Sequence, residues 1–284
     1  MYRLQGYQAS VGNINVFCPT GRTVGGSTTV NSGTCMRMPD HRLRWWRERL
    51  GLREFTPERM HELYRRVETI LQVEEVRPEV LGGNARVIAR GADVLGYSHK
   101  PLRRNAPGCD GQGFCAMGCP QEAKRSTNVS YVPEALESNA FLYTGVEVHR
   151  ILTERGRAVG VAGRTCGRPR RSFTVRARAV VLACGTFQTP ALLQRNELAG
   201  RSNQVGRNLT LHPSGYVGAL FDEVIDGWNA VPQGYGIDQF RSEDLQFEGA
   251  FMPLDMMTVV FDPLGADLTE MMERYRHVSM FGFI

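Results

Sequence analysis

The sequence predicts an α/β unit followed by an α+β unit built on an antiparallel sheet. Three observations carry this. The continuously apolar run Ala179-Val180-Val181-Leu182-Ala183 ends in Cys184-Gly185-Thr186 and leads to a helix opened by Pro190. That is the order strand, glycine turn, helix, with a strand apolar enough to be buried on both faces. After Pro213, β-type runs at 216–221, 234–240, 246–252 and 277–283 follow one another, with a short helix at 268–275. Between residues 40 and 95 the apolar spacing is helical.

The elements follow in order. Within residues 1–20, Ile14, Val16 and Cys18 alternate as in a strand, and a glycine-rich loop runs from Gly21 to Gly33. Asp40 is positioned to cap a helix over 42–50. Thr56 followed by Pro57 opens a second helix to about residue 73, with Met60, Leu63, Tyr64, Val67, Ile70 and Leu71 on one face. A third spans 78–95, interrupted by Gly82 and Gly83. Residues 96–128 are rich in Gly, Cys, Pro and Asn and read as an ordered loop. Short β-type runs at 141–143, 146–153, 158–162 and 172–176 come next, with a hairpin turn at 154–157. The composition shift near residue 213 marks a domain boundary, and there is no internal repeat.

Composition excludes several classes. With 284 residues, 42% hydrophobic and 22% charged, the chain can build a core. Mean hydropathy is −0.29 and no run of eighteen apolar residues occurs, which excludes a spanning helix. The net charge of +5 is spread along the chain, so nucleic acid is not an expected partner. Among 34 basic residues, Lys100 and Lys124 are the two lysines. Seven cysteines at uneven spacing do not form a secreted disulfide framework. No signal peptide is visible, so the expected location is cytoplasmic or membrane-peripheral.

The sharpest motif is Gly21-Arg22-Thr23-Val24-Gly25-Gly26-Ser27-Thr28-Thr29-Val30-Asn31. Its glycines let backbone N–H groups approach an anion or a flat cofactor, and Ser27, Thr28 and Asn31 add short polar side chains. Composition alone also allows an ordinary glycine-rich loop. The order of residues resembles the first signature of the glucose–methanol–choline (GMC) oxidoreductases, which in that family lies along the pyrophosphate of FAD. The match runs through Gly21, Arg22, Val24, Gly25, Gly26, Ser27, Thr28, Val30 and Asn31, and departs at Cys35.

Three further segments are similar to that family in the same order. Val146 to Ile151 resembles the strand whose valine, here Val148, meets the adenine. Gly185 to Leu193 resembles the first half of the second signature, with Gln194-Arg195-Asn196-Glu197 in place of its second half. Val205-Gly206-Arg207-Asn208-Leu209 with His212-Pro213 resembles the segment that closes the FAD domain. His212 is read as a packed or capping histidine rather than a catalytic one, and Trp45-Trp46 as a packing face. The resemblance implies a partial FAD-binding (Rossmann-like) domain over 1–213, with inserted helices and the 96–128 loop. Residues 214–284 would then be the start of an antiparallel-sheet substrate domain. It places Gly21, Arg22, Val24, Gly25, Gly26, Ser27, Thr28, Asn31, Val148, Cys184 and Gly185 at the cofactor.

Cys109, Cys115 and Cys119 stand in a Cys-x5-Cys-x3-Cys loop. Two readings stay open: a structural loop with buried thiols, and an iron–sulfur cluster held by three thiolates. Zinc would need a fourth ligand, and His99 is the near candidate in sequence. The spacing is also similar to loops in long-chain alcohol oxidases and sugar dehydrogenases of the family.

A strand with Gly-x-Gly-x-x-Gly ahead of Gly21 and the family's C-terminal His/Asn pair are both missing. The expectation is therefore the middle of an FAD-dependent alcohol oxidoreductase, incomplete alone, acting on a long-chain alcohol, a sterol or a sugar-type alcohol. It would work with an electron acceptor or a complementing chain. The alternatives are one half of a split enzyme, or a non-catalytic FAD- or iron–sulfur-binding interaction module.

Overall fold

The computed structural model describes residues 1–12, 15–198, 200–251, 253–254 and 265–284. Ile14, part of the expected N-terminal alternation, and residue 252 at the end of an expected strand lie outside the described residues. The chain forms two compact units, Met1–Asn139 with Pro213–Ile284, and Ala140–His212.

In chain order the helices are α1 (Asp40–Leu50), α2 (Pro57–Ile70), α3 (Gly82–Leu95), α4 (Tyr131–Glu137), α5 (Gln188–Arg195) and α6 (Ala266–Glu273). The strands are β1 (Glu74–Glu75), β2 (His99–Pro101), β3 (Arg103–Arg104), β4 (Val146–Glu154), β5 (Arg157–Thr165), β6 (Ser172–Arg176), β7 (Gly215–Leu220), β8 (Tyr235–Ile237), β9 (Phe247–Gly249) and β10 (Val278–Phe283). The first unit holds a five-stranded antiparallel sheet in the order β2-β8-β9-β10-β7, and β1 pairs with β3. The second holds the three-stranded antiparallel sheet β4-β5-β6 and helix α5.

Helix α3 packs on one face of the five-stranded sheet through a buried amide. Asn84 Nδ2 donates to Met280 O at 3.2 Å, while its Oδ1 accepts from Met280 N at 3.0 Å and from the Ser279 hydroxyl. The close fit requires glycine: a Cβ on Gly83 would lie 1.7 Å from Ile225 O, and one on Gly249 would lie 2.3 Å from Ile88. Phe251, Val278 and Met280 form the core cluster beneath, with Met271 and Tyr275 against it.

Helix α2 starts as the sequence predicts. Thr56 Oγ1 accepts from Arg59 N at 3.2 Å with Pro57 at the first helical position. A Thr56→Ala variant is expected to lose about 1 kcal/mol, measured by urea denaturation. Helix α1 departs from expectation. Pro39, not Asp40, holds the cap position, and the Asp40 carboxylate instead meets His61 Nε2 at 2.9 Å. The partner 21 positions away outcompetes the local cap.

Two expected strands do not form. Residues 179–183 carry no ladder and Val181 is 88% exposed; 141–143 are likewise non-strand, with Phe141 85% exposed. An apolar run becomes a buried strand only when neighbours flank both edges, and among the described residues none pairs with either segment. Conversely, β2 and β3 sit inside the expected loop 96–128, because distant segments complete them: His99 pairs with Ile237 and Arg104 with Glu74.

Candidate functional site

The glycine-rich loop is held from within. Gly25 and Gly26 take left-handed conformations, φ 90° and 56°, and lead into a single 3₁₀ turn, Gly26–Thr29. Thr28 Oγ1 donates to Gly25 O at 2.6 Å, Thr29 Oγ1 to Val24 O at 3.1 Å, and Gly21 N to Ser27 Oγ at 3.0 Å. Residue Thr127 clamps the same point, donating through Oγ1 to Gly25 O and through N to Thr28 Oγ1, both at 3.1 Å. A Cβ on Gly25 would meet Thr29 Oγ1 at 2.7 Å, whereas nothing lies within 4 Å of one on Gly26. The loop is therefore packed on one side and open over Gly26, with Arg22, Ser27 and Asn31 exposed and Val24 half-buried.

Beneath the loop lies Lys124, 2% exposed. Its ammonium donates to Thr29 O at 2.9 Å, Asn31 O at 2.7 Å and Cys115 O at 2.7 Å. One cation thus ties the end of the glycine loop to the cysteine loop, and burial pulls its pKa down to about 8. Buried Arg104 repeats the pattern: its guanidinium reaches Ser32 O and donates to Cys115 Sγ at 3.0 Å.

The three cysteines of that loop do not converge. Cys115 faces Arg104, Cys119 Sγ accepts from Lys124 N at 3.4 Å, and Cys109 Sγ accepts from Gly111 N at 3.4 Å. The thiols of Cys109, Cys115 and Cys119 form no disulfide, and among the described residues no three His, Cys, Asp or Glu side chains are grouped to hold a metal. Side chains that are not grouped cannot share one centre, so the arrangement among the described residues does not support an iron–sulfur cluster. The cluster expectation is corrected to a structural loop.

Where this loop meets the five-stranded sheet there is a cavity of about 220 Å³ lined by Ser32, Cys115, Ala116, Tyr216, Gln233 and Ala250, among others. An apolar cleft of about 230 Å³, lined by Phe114, Trp228, Leu254 and Tyr275, adjoins it through shared Gly113, Pro232, Phe251 and Pro253. Behind Gln233 sits Glu248, 5% exposed, whose carboxyl burial pushes up to about 7. Sequence reasoning did not single out Arg104, Gln233 or Glu248. Lys124 had one visible signal, being one of two lysines in an arginine-rich chain.

The remaining expected cofactor residues belong to the second unit. Val148 is half-buried on β4, opposite Gly163 and beside a β-bulge. Cys184 and Gly185 are exposed at the head of α5, where Cys184 N donates to Thr189 Oγ1 at 3.1 Å. Gly185 has φ 89° and its carbonyl accepts from Thr189 N at 3.0 Å. No described helix is long and apolar enough to cross a membrane.

Residues 1–214 match the family model described as GMC oxidoreductase. A GMC-type oxidoreductase of Mycobacterium tuberculosis is 37% identical over 284 residues, covering 99% of this chain and 44% of that protein. A long-chain-alcohol oxidase of Arabidopsis thaliana is 28% identical over 280 residues, covering 94% of this chain and 35% of that one. The crystal structure of pyridoxine 4-oxidase from Mesorbium loti superposes with a TM-score of 0.59 at 15% identity, covering 93% of this chain and 56% of that one, a likeness of fold. The chain thus spans less than half the length of these two sequence relatives.

Proposed function

Because the chain belongs to the GMC oxidoreductase family, we propose that it carries part of the FAD site and the substrate cavity of an enzyme oxidising the CH–OH group of an alcohol. The observation that carries this reading is the open space over Gly26, next to Gly21 and Gly25 where the backbone is closely packed. A side chain would fill that space, so its emptiness fits a flat ligand lying over the backbone. Gly21, Arg22, Val24, Gly25, Gly26, Ser27, Thr28 and Asn31 would hold the cofactor in the first unit, and the family resemblance also assigns it Val148, Cys184 and Gly185 of the second. When bound, the flavin supplies the two-electron acceptor, taking hydride at N5.

The protein's own part is positioning. Lys124 and Thr127 keep the loop in one geometry, so ordering it costs nothing at the moment of binding. Ser32 follows the loop directly and lines the cavity, which brings the substrate region next to the cofactor loop. The polar lining of that cavity suits a hydroxyl, and the aromatic cleft beside it suits an apolar body. In this reading residues 1–213 serve the cofactor, and residues 214–284 supply four of the five strands of the sheet that floors the substrate cavity.

The test is a titration of the purified chain with FAD, followed by flavin fluorescence and visible absorbance. Saturable binding that perturbs the flavin spectrum is expected. A chain that circular dichroism shows to be folded and that leaves the flavin unchanged sinks the proposal.

A further inference from the structure

The face of the five-stranded sheet opposite α3 carries a row of five residues in register, Lys100, Gly236, Glu248, Gly282 and Tyr216. Directly opposed residues of an antiparallel sheet point to one face. Glu248 thus has a glycine on either side, and the other charged residue of the row, Lys100 on the edge strand, pairs with Asp238. The ring of Tyr216 lies over Gly282, where an added Cβ would meet it at 2.7 Å.

The carboxyl does not reach the cavity itself; Gln233 does. The Gln233 amide is pinned at both ends: Nε2 donates to Glu248 Oε1, and Oε1 accepts from Thr34 Oγ1 at 2.9 Å. A primary amide has two N–H donors, so one remains. The second carboxyl oxygen, Glu248 Oε2, is buried with no partner among the described residues. A buried polar group left in that state costs stability, which is the signature of a residue kept for something other than folding.

We propose that Glu248 is a positioning residue of the substrate cavity: by accepting from Gln233 it turns that amide's second N–H toward the ligand, so the cavity offers a donor to a ligand oxygen. The inference rests on reading this cavity as the substrate site. Its chemical consequence concerns the oxidised product. An aldehyde or ketone oxygen only accepts hydrogen bonds, whereas an alcohol oxygen both donates and accepts. A fixed donor serves either one. A freed amide can rotate and offer its oxygen, which an alcohol tolerates and a carbonyl does not. Protonation of Glu248 on its unpartnered Oε2 leaves Oε1 an acceptor, so the orientation persists through the carboxyl's titration near 7.

The experiment uses 2-octanone and 2-octanol as probes on the purified chain without flavin, read by the fluorescence of Trp228 and the other tryptophans. Glu248→Leu is expected to weaken 2-octanone about tenfold, the worth of one hydrogen bond, and 2-octanol less than about threefold. Glu248→Gln, whose amide oxygen still accepts from Gln233, is expected to stay within about twofold of the parent on both probes. Equal weakening of ketone and alcohol by Glu248→Leu, or a Glu248→Gln variant that behaves like Glu248→Leu, overturns the inference and leaves the substrate reading standing. A parent chain that binds neither probe overturns both, while flavin binding is tested separately.

Discussion

Lys124→Met is expected to lower stability by about 3 kcal/mol, a fall in Tm of about 6–12 °C. Methionine matches the volume of the stem but donates nothing, so the carbonyls of Thr29, Asn31 and Cys115 lose a shared donor inside the protein. Buried carbonyls left without partners cost more than the bonds themselves contributed. Relief from burying a charge offsets part of the loss. Lys100→Met is the control. Lys100 is half exposed and pairs with Asp238 at the surface, and losing such a pair should cost about 1 kcal/mol or less.

The pH dependence has a definite sign. Burial lowers the Lys124 pKa from 10.5 to about 8, so between these values the folded chain has released a proton that the unfolded chain still holds. Stability therefore rises with pH through this window. The gap between wild type and Lys124→Met should widen by roughly 3 kcal/mol from below pH 8 to above pH 10.5. Denaturant melts at both ends of that range check it. A gap that narrows would mean Lys124 is not held as described. Hydrogen exchange at residues 26–31 should also quicken in the variant, because the clamp on the loop has gone.

Gly26→Val is expected to weaken FAD binding by at least about a hundredfold while the chain stays folded. The two halves of this expectation have separate causes. No atom of the described residues lies within 4 Å of the added Cβ, so the side chain finds room and projects into the space assigned to the cofactor. The φ of 56° suits glycine, and a β-branched residue there costs about 1–3 kcal/mol, below the stability of a typical domain. Gly26→Asn separates the two effects, since asparagine tolerates the left-handed region. It should retain near-parental stability and still lose FAD. Normal flavin affinity in both variants would remove Gly26 from the cofactor site.

The sequence by itself determined what local chemistry controls. The Thr56 cap, α2, the β4–β6 runs, the positions of β7 to β10 and the special backbone at Gly25 and Gly26 all follow from short-range pattern and from glycine's freedom. The ordered motifs from Gly21 onward also carried the family, which the match over residues 1–214 bears out. Tertiary structure alone decided the rest. Whether 179–183 becomes a strand depends on neighbours that no local pattern supplies, and whether His99–Pro101 does depends on Ile237, far along the chain. The cysteine spacing was compatible with a shared centre, but among the described residues the fold does not group the three side chains to hold one. Glu248 looks like any strand glutamate in the sequence. Only the pairing of β9 between β8 and β10 buries it beside Gln233, and burial, not residue type, makes its carboxyl unusual.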